Sequence, residues 1–187
     1  MKKLRIESES GMSMVELIVY MVLSMIVLTI VANLWISGVR TEKSVTTVTT
    51  STTAAQLATE AIQRGVRNAS GFVVTKPSGD DQFLVMRTAG GDTNLTWNCQ
   101  AWYYSADQHS LRTKTIPTQI LAPTTAQLGS WLLVAEGVSP VSGTQVFTAR
   151  DTRLAIEFHV DAGDRPPVLI NSSALSRTMG GETDLCN

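Results

Sequence analysis

Between Gly11 and Ile36 the chain reads GMSMVELIVYMVLSMIVLTIVANLWI, an apolar block with one carboxylate, Glu16, just inside its start. From Leu17 to Ile36 the polar side chains are Tyr20, Ser24, Thr29, Asn33 and the indole of Trp35, and none is charged. About 20 such residues rise about 30 Å as a helix, the hydrocarbon thickness of a bilayer. A backbone in lipid must satisfy its own hydrogen bonds, so the block predicts a membrane-spanning helix. Beyond Ile36 the pattern loosens at Ser37-Gly38-Val39-Arg40, where the chain leaves the lipid between Arg40 and Lys43. Val45, Val48, Ala55, Ala58, Ile62 and Val66 then fall at helical spacing, which carries the helix on to about Arg67. The threonine cluster Thr46 to Thr53 opposes this, because β-branched residues are weak helix formers; a linker with helix resuming at Ala54 is the alternative. Asn68-Ala69-Ser70-Gly71 reads as a helix stop and turn.

From Phe72 the period becomes two. Phe72 to Thr75 and Gln82 to Thr88 are predicted strands joined by a turn over 76–81. Leu95 to Tyr104 is a third, with Trp97 and Tyr103 on one face and Trp102 and Tyr104 on the other. The turn Ser105 to Gln108 leads into a fourth, His109 to Thr115. Ile116 to Ser130, with Pro117 and Pro123, reads as a loop, and Trp131 to Ala135 as a short helix or strand ended by 136–139. Val146-Phe147 and Arg153 to Val160 are strands, the latter alternating Leu154, Ile156, Phe158 and Val160. After a hairpin turn at 161–164, Pro166 to Ser172 is an edge strand with proline at its start.

Length and charge narrow the classes. The 187 residues suffice for one membrane segment and one modest domain, and a net charge of −1 gives no global attraction to nucleic acid. Lys2, Lys3 and Arg5 precede the span, against Glu7 and Glu9, and this basic bias predicts a cytoplasmic N-terminus with everything after Ile36 outside. Glu16 is the informative residue, because an ionised group within a membrane segment costs roughly 2.5–3.5 kcal/mol. A cut after Gly11 would leave a free α-amine on Met12, which could pair with Glu16 of a neighbouring helix and neutralise both charges. The alternative is that Glu16 sits at headgroup level and snorkels.

A short basic leader ending in Gly11, then Met-Ser-Met-Val-Glu-Leu and an apolar helix, resembles the class III prepilin signal of type IV pilins and type II secretion pseudopilins. The resemblance implies cleavage between Gly11 and Met12 by a prepilin peptidase, N-methylation of Met12, and a role for Glu16 in assembly with other pilin or pseudopilin subunits on an inner-membrane platform. Met12 stands where phenylalanine is usual, and the apolar run lacks the proline that kinks many major pilins. The implied fold is α+β: a long N-terminal membrane-spanning helix packed through its second half on an antiparallel β-sheet domain. The segments are then a leader (1–11), a transmembrane half-helix (12–36), an extracytoplasmic half-helix (37–68) and a β-rich domain (69–187). The strand, turn and Leu111-Arg112 pair resemble, more loosely, the sheet of PilW-like and J-type minor pilins.

Cys99 and Cys186 are the only cysteines, and in an extracytoplasmic domain one pair suggests a disulfide that pins the tail Met179 to Asn187. His109 and His159 show no zinc spacing with them, and a Cys99–His109 nucleophile pair has little to motivate it. Asp80 and Asp81, or Asp161 and Asp164, could bind calcium, but turn chemistry explains them as well. Asn68, Asn94 and Asn171 fit the glycosylation triplet, a pattern common by chance. Stacking of Trp97, Trp102, Tyr103 and Tyr104 on DNA would suit an uptake pilus, although alternation assigns at least one face to the core. No paired carboxylates, triad order or phosphate loop supports catalysis, and no cofactor or metal is expected. Two classes remain: a filament subunit lodged first in the cytoplasmic membrane, or a membrane-anchored extracytoplasmic binding protein that never polymerises.

Overall fold

The computed structural model describes residues 13–89, 96–141, 143, 145–177 and 186. Helix α1 (Met14–Asn68) is followed by β1 (Ala69–Thr75), β2 (Gln82–Ala89), β3 (Trp97–Ser105) and β4 (Ser110–Ile116). Then come α2 (Thr125–Leu128), β5 (Leu132–Glu136), β6 (Val138–Pro140), β7 (Phe147–Arg150), β8 (Arg153–Ala162) and β9 (Arg165–Leu175). The fold is α+β, a long apolar N-terminal helix whose later part packs on an antiparallel β domain.

Two compact units divide at Lys43 and Ser44. The first is helix from Met14 to Lys43, and every described residue from Ser13 to Lys43 is exposed. The second holds the rest of α1 and two antiparallel sheets, one ordered β1-β2-β3-β4-β5 and one in which β8 pairs β6 and β7 on one side and β9 on the other.

Alternation explains how this unit packs. Along β2, Leu84 and Met86 point to one face and Phe83 and Val85 to the other, and all four are buried, because the sheet is covered on both sides. One cover is α1, where Ala55, Ala58, Ile62 and Val66 form a helical stripe against Leu84, Met86, Trp102 and Tyr104. Gly65 lets the helix come close: a Cβ there would lie 2.6 Å from Met86 Sδ and 2.7 Å from Gln100 Oε1. Leu154, Ile156, Phe158 and Val160 of β8 join the same core, so both sheets share it. The opposite face of the first sheet packs Phe83, Val85, Ala101 and Tyr103 under Ile120, Leu128 and Trp131 of the 117–131 connection. Cys186 closes this second core through its disulfide to Cys99, with a Cα–Cα distance of 5.4 Å.

The sheets are joined by specific polar contacts. Gly137, at φ 68°, turns the chain from β5 into β6, and its carbonyl accepts from Asp161 N at 2.8 Å. Buried Gln82 accepts from Phe147 N at 2.7 Å through Oε1, carrying a backbone donor across the gap.

Several elements differ from the expectations. α1 runs unbroken through the threonine cluster. Weak propensity costs about 3 kcal/mol over that run, whereas restarting a helix at Ala54 needs a second nucleus at about 4 kcal/mol. The β8–β9 hairpin adds contacts there, with Arg165 Nε donating to Ser44 Oγ at 3.3 Å. No turn follows the helix: β1 begins at Ala69, directly after Asn68, and takes up the chain with a register shift at Ala69/Gly71. Residues 138–140 are strand rather than terminator, held by β8, and 125–128 of the supposed loop form α2 under a Thr124–Gln127 capping box. β9 is an edge strand as expected but extends to Leu175, because its pairing with β8 continues to Arg153.

Candidate functional site

The uncovered unit carries the strongest chemical signal. Its best 18-residue window has a mean hydropathy of 2.5 with none of it buried. Leu28 is 67 % exposed and Trp35 77 %. So continuous an apolar surface is far larger than a soluble monomer leaves in water, and the helix is long and apolar enough to cross a membrane. Glu16 lies on the first turn, where its N–H donates to Ser13 O at 2.9 Å. The carboxylate Oε1 accepts from Tyr20 Oη at 3.3 Å, one turn on. That neutral donor, also exposed, is its hydrogen-bond partner among the described residues. Tyr20 was legible at i+4 spacing, but its hydroxyl is a long contact and no counter-ion. A carboxylate at the head of an apolar helix, with no cation beside it among the described residues, is equipped to attract a positive group. Gly11 and Met12 lie outside the described residues.

Several of the remaining candidates are absorbed by the fold. Cys99 is bonded to Cys186, so a Cys99–His109 nucleophile pair does not exist. Asp81 is committed on both oxygens, accepting from Tyr103 Oη at 2.6 Å and Ala106 N at 2.7 Å. Burial, and then this hydrogen bond and the Asp81 charge, hold the Tyr103 phenol above its ordinary pKa; burial does the same for Tyr104. Asp161 Oδ1 accepts from Gly163 N at 2.9 Å, an Asx turn. Among the described residues no group of three or more His, Cys, Asp or Glu could hold a metal.

Of the four aromatics, Trp102, Tyr103 and Tyr104 are buried, and Tyr103 packs edge-on to Trp131 with centroids 6.3 Å apart. Trp97 alone of the four is exposed, and the Arg87 guanidinium already covers it at 4.4 Å. A stacking platform for bases would need several free rings in a row, which this strand does not present. Asn171 of the glycosylation triplets donates to Glu157 Oε1 at 3.4 Å, and Asn94 lies outside the described residues. Known protein families, characterised proteins and solved structures yield no match to this chain.

Proposed function

We propose that this chain is a minor pilin or pseudopilin. It is cleaved after Gly11 by a prepilin peptidase, N-methylated at Met12, and assembled through its N-terminal helix into a type IV pilus-like or type II secretion-type filament. The observation that carries this reading is Glu16, the one carboxylate of the exposed apolar stretch from Ser13 to Ile36, with the Tyr20 hydroxyl as its side-chain partner among the described residues. A simple anchor would insert better without it, by up to a few kcal/mol. A filament subunit has use for it, because a neighbour's Met12 amine can neutralise it inside a low-dielectric bundle. Lys2, Lys3 and Arg5 favour a cytoplasmic N-terminus, which places the β domain on the oxidising side where the Cys99–Cys186 bond persists. The partners are then the prepilin peptidase, other pilin or pseudopilin subunits, the inner-membrane assembly platform and membrane lipid.

Mass spectrometry of the membrane-extracted protein tests the processing: Met12 first, N-methylated, is expected. An intact leader in cells with active peptidase would sink the proposal. Glu16→Ala separates assembly from anchoring. Membrane abundance should hold or rise, while recovery in sheared filaments falls at least tenfold, since losing half of a buried charge pair costs roughly 3–5 kcal/mol. Unchanged recovery of the variant would instead favour a membrane-anchored binding protein.

A further inference from the structure

Strand β9 is the outer edge of the second sheet, paired with β8 on one side only. Its other side faces α1 across a groove of about 490 Å³ lined by Gln56, Thr59, Glu60 and Gln63 of the helix and residues 169–172 of the strand. One hydrogen bond establishes which backbone groups point into it. Gln63 Nε2 donates to Ser173 O at 3.0 Å, so the Ser173 carbonyl faces the helix. In an antiparallel strand a residue's N–H and C=O point to the same side, and the sides alternate. Leu169 and Asn171 therefore also direct their N–H and C=O away from β8, toward the groove. At Ser173 the helix supplies the partner; at Leu169 and Asn171 no protein group does among the described residues. These two residues offer two donors and two acceptors at strand spacing. The far wall holds the Glu60 carboxylate, which has no cation among the described residues.

We propose that this groove receives an extended peptide segment of a partner protein, which adds to β9 as an antiparallel or parallel strand and sets a lysine or arginine beside Glu60. Backbone pairing to Leu169 and Asn171 supplies the binding, and the Glu60 charge selects a basic segment. Gln63 already bonds Ser173 at one end and Pro166 and Pro167 lack N–H groups at the other, so the segment is short, about five to seven residues. The surface lies wholly within the β domain's unit and stands whether or not the chain enters a filament.

The test uses the full chain in detergent micelles and a fluorescent, capped seven-residue peptide of alternating threonine and valine with a central lysine. Saturable binding is expected, with slowed hydrogen exchange at the Leu169 and Asn171 amides. N-methylating alternate peptide nitrogens, or replacing the peptide's lysine with glutamate, should each weaken binding at least tenfold. Leu169→Pro removes an outward N–H without touching the β8 ladder and should abolish binding. Glu60→Lys, on an exposed helix position, provides a second variant that keeps the fold and should reverse the preference between the lysine and glutamate peptides. Absence of saturable binding, equal binding of the N-methylated peptide, or an unchanged preference in Glu60→Lys would each overturn the proposal. Concentration-dependent protection of Leu169 and Asn171 without peptide would make a second copy of the chain the occupant and overturn it equally.

Discussion

Tyr103 and Asp81 form a close polar pair in the β domain, and their linkage has a definite sign. The Tyr103 phenol is held above its usual value of about 10, first by burial and then by Asp81. The folded chain keeps this proton at a pH where the unfolded chain releases it. Stability is therefore full below about pH 10 and falls as pH rises above it, with Tyr104 adding in the same direction. Tyr103→Phe should cost about 1 kcal/mol at neutral pH by removing the hydroxyl from Asp81. It should also flatten the alkaline decline. Urea unfolding of both proteins at about pH 8 and about pH 10.5 checks the two effects together. An equally steep decline in the variant would show that other groups govern alkaline stability. Asp81 also shows why a side chain's role was hard to see in advance. Asp80-Asp81 is open to a turn or a calcium site by composition, and only the approach of Tyr103 and Ala106 commits both oxygens inward.

Among the elements, close approach decides which glycines are replaceable. At Gly65 the intruding atoms are the ends of the Met86 and Gln100 side chains, which can rotate away. At Gly137 a Cβ would meet Asp161 Cβ at 2.6 Å and its backbone N at 3.3 Å, and the residue also holds φ 68°. Gly65→Ala should cost about 1 kcal/mol, as mild overpacking. Gly137→Ala should cost about 3 kcal/mol, because backbone strain adds to the clash and loosens the junction of the two sheets. Thermal melts of the two variants should preserve that order, and a reversed order would refute the argument. Strand alternation in β8 was readable because buried Ile156, Phe158 and Val160 are each followed by a polar residue. In β2 and β3 both faces are covered, and the pattern alone could not say by what.

At the scale of the whole molecule two units with opposite solvent preferences share one helix. A chain beginning at Ser44 should stay soluble without detergent and keep the thermal transition of the β domain, while the full chain requires lipid or detergent. Precipitation of the shortened chain would show that the domain depends on the preceding helix. The disulfide spans 87 residues and ties Cys186 into the second core. Cys186→Ala should lower stability by about 4.6 kcal/mol in the chain-entropy account. Labelling of the unfolded, unreduced wild-type protein should find no free thiol; two labelled cysteines would refute the bond.

The helix long and apolar enough to cross a membrane, the single carboxylate of its apolar stretch, most strands of the β domain and the cysteine pair were all determined by the sequence by itself. Each rests on local rules: hydropathy over about 20 residues, a period of two or 3.6, and a count of two cysteines. Tertiary structure decided what these rules cannot reach. It made Trp102 core and left Trp97 exposed, though both lie on β3, because covering a face depends on elements far away in the chain. It kept α1 helical through a run of poor helix formers, where propagation from both sides and the β8–β9 hairpin outweigh propensity. It turned 138–140 into a strand by offering β8 as a partner. It also placed the edge of β9 beside Gln63 and Glu60, more than a hundred residues earlier, and no local pattern encodes that meeting.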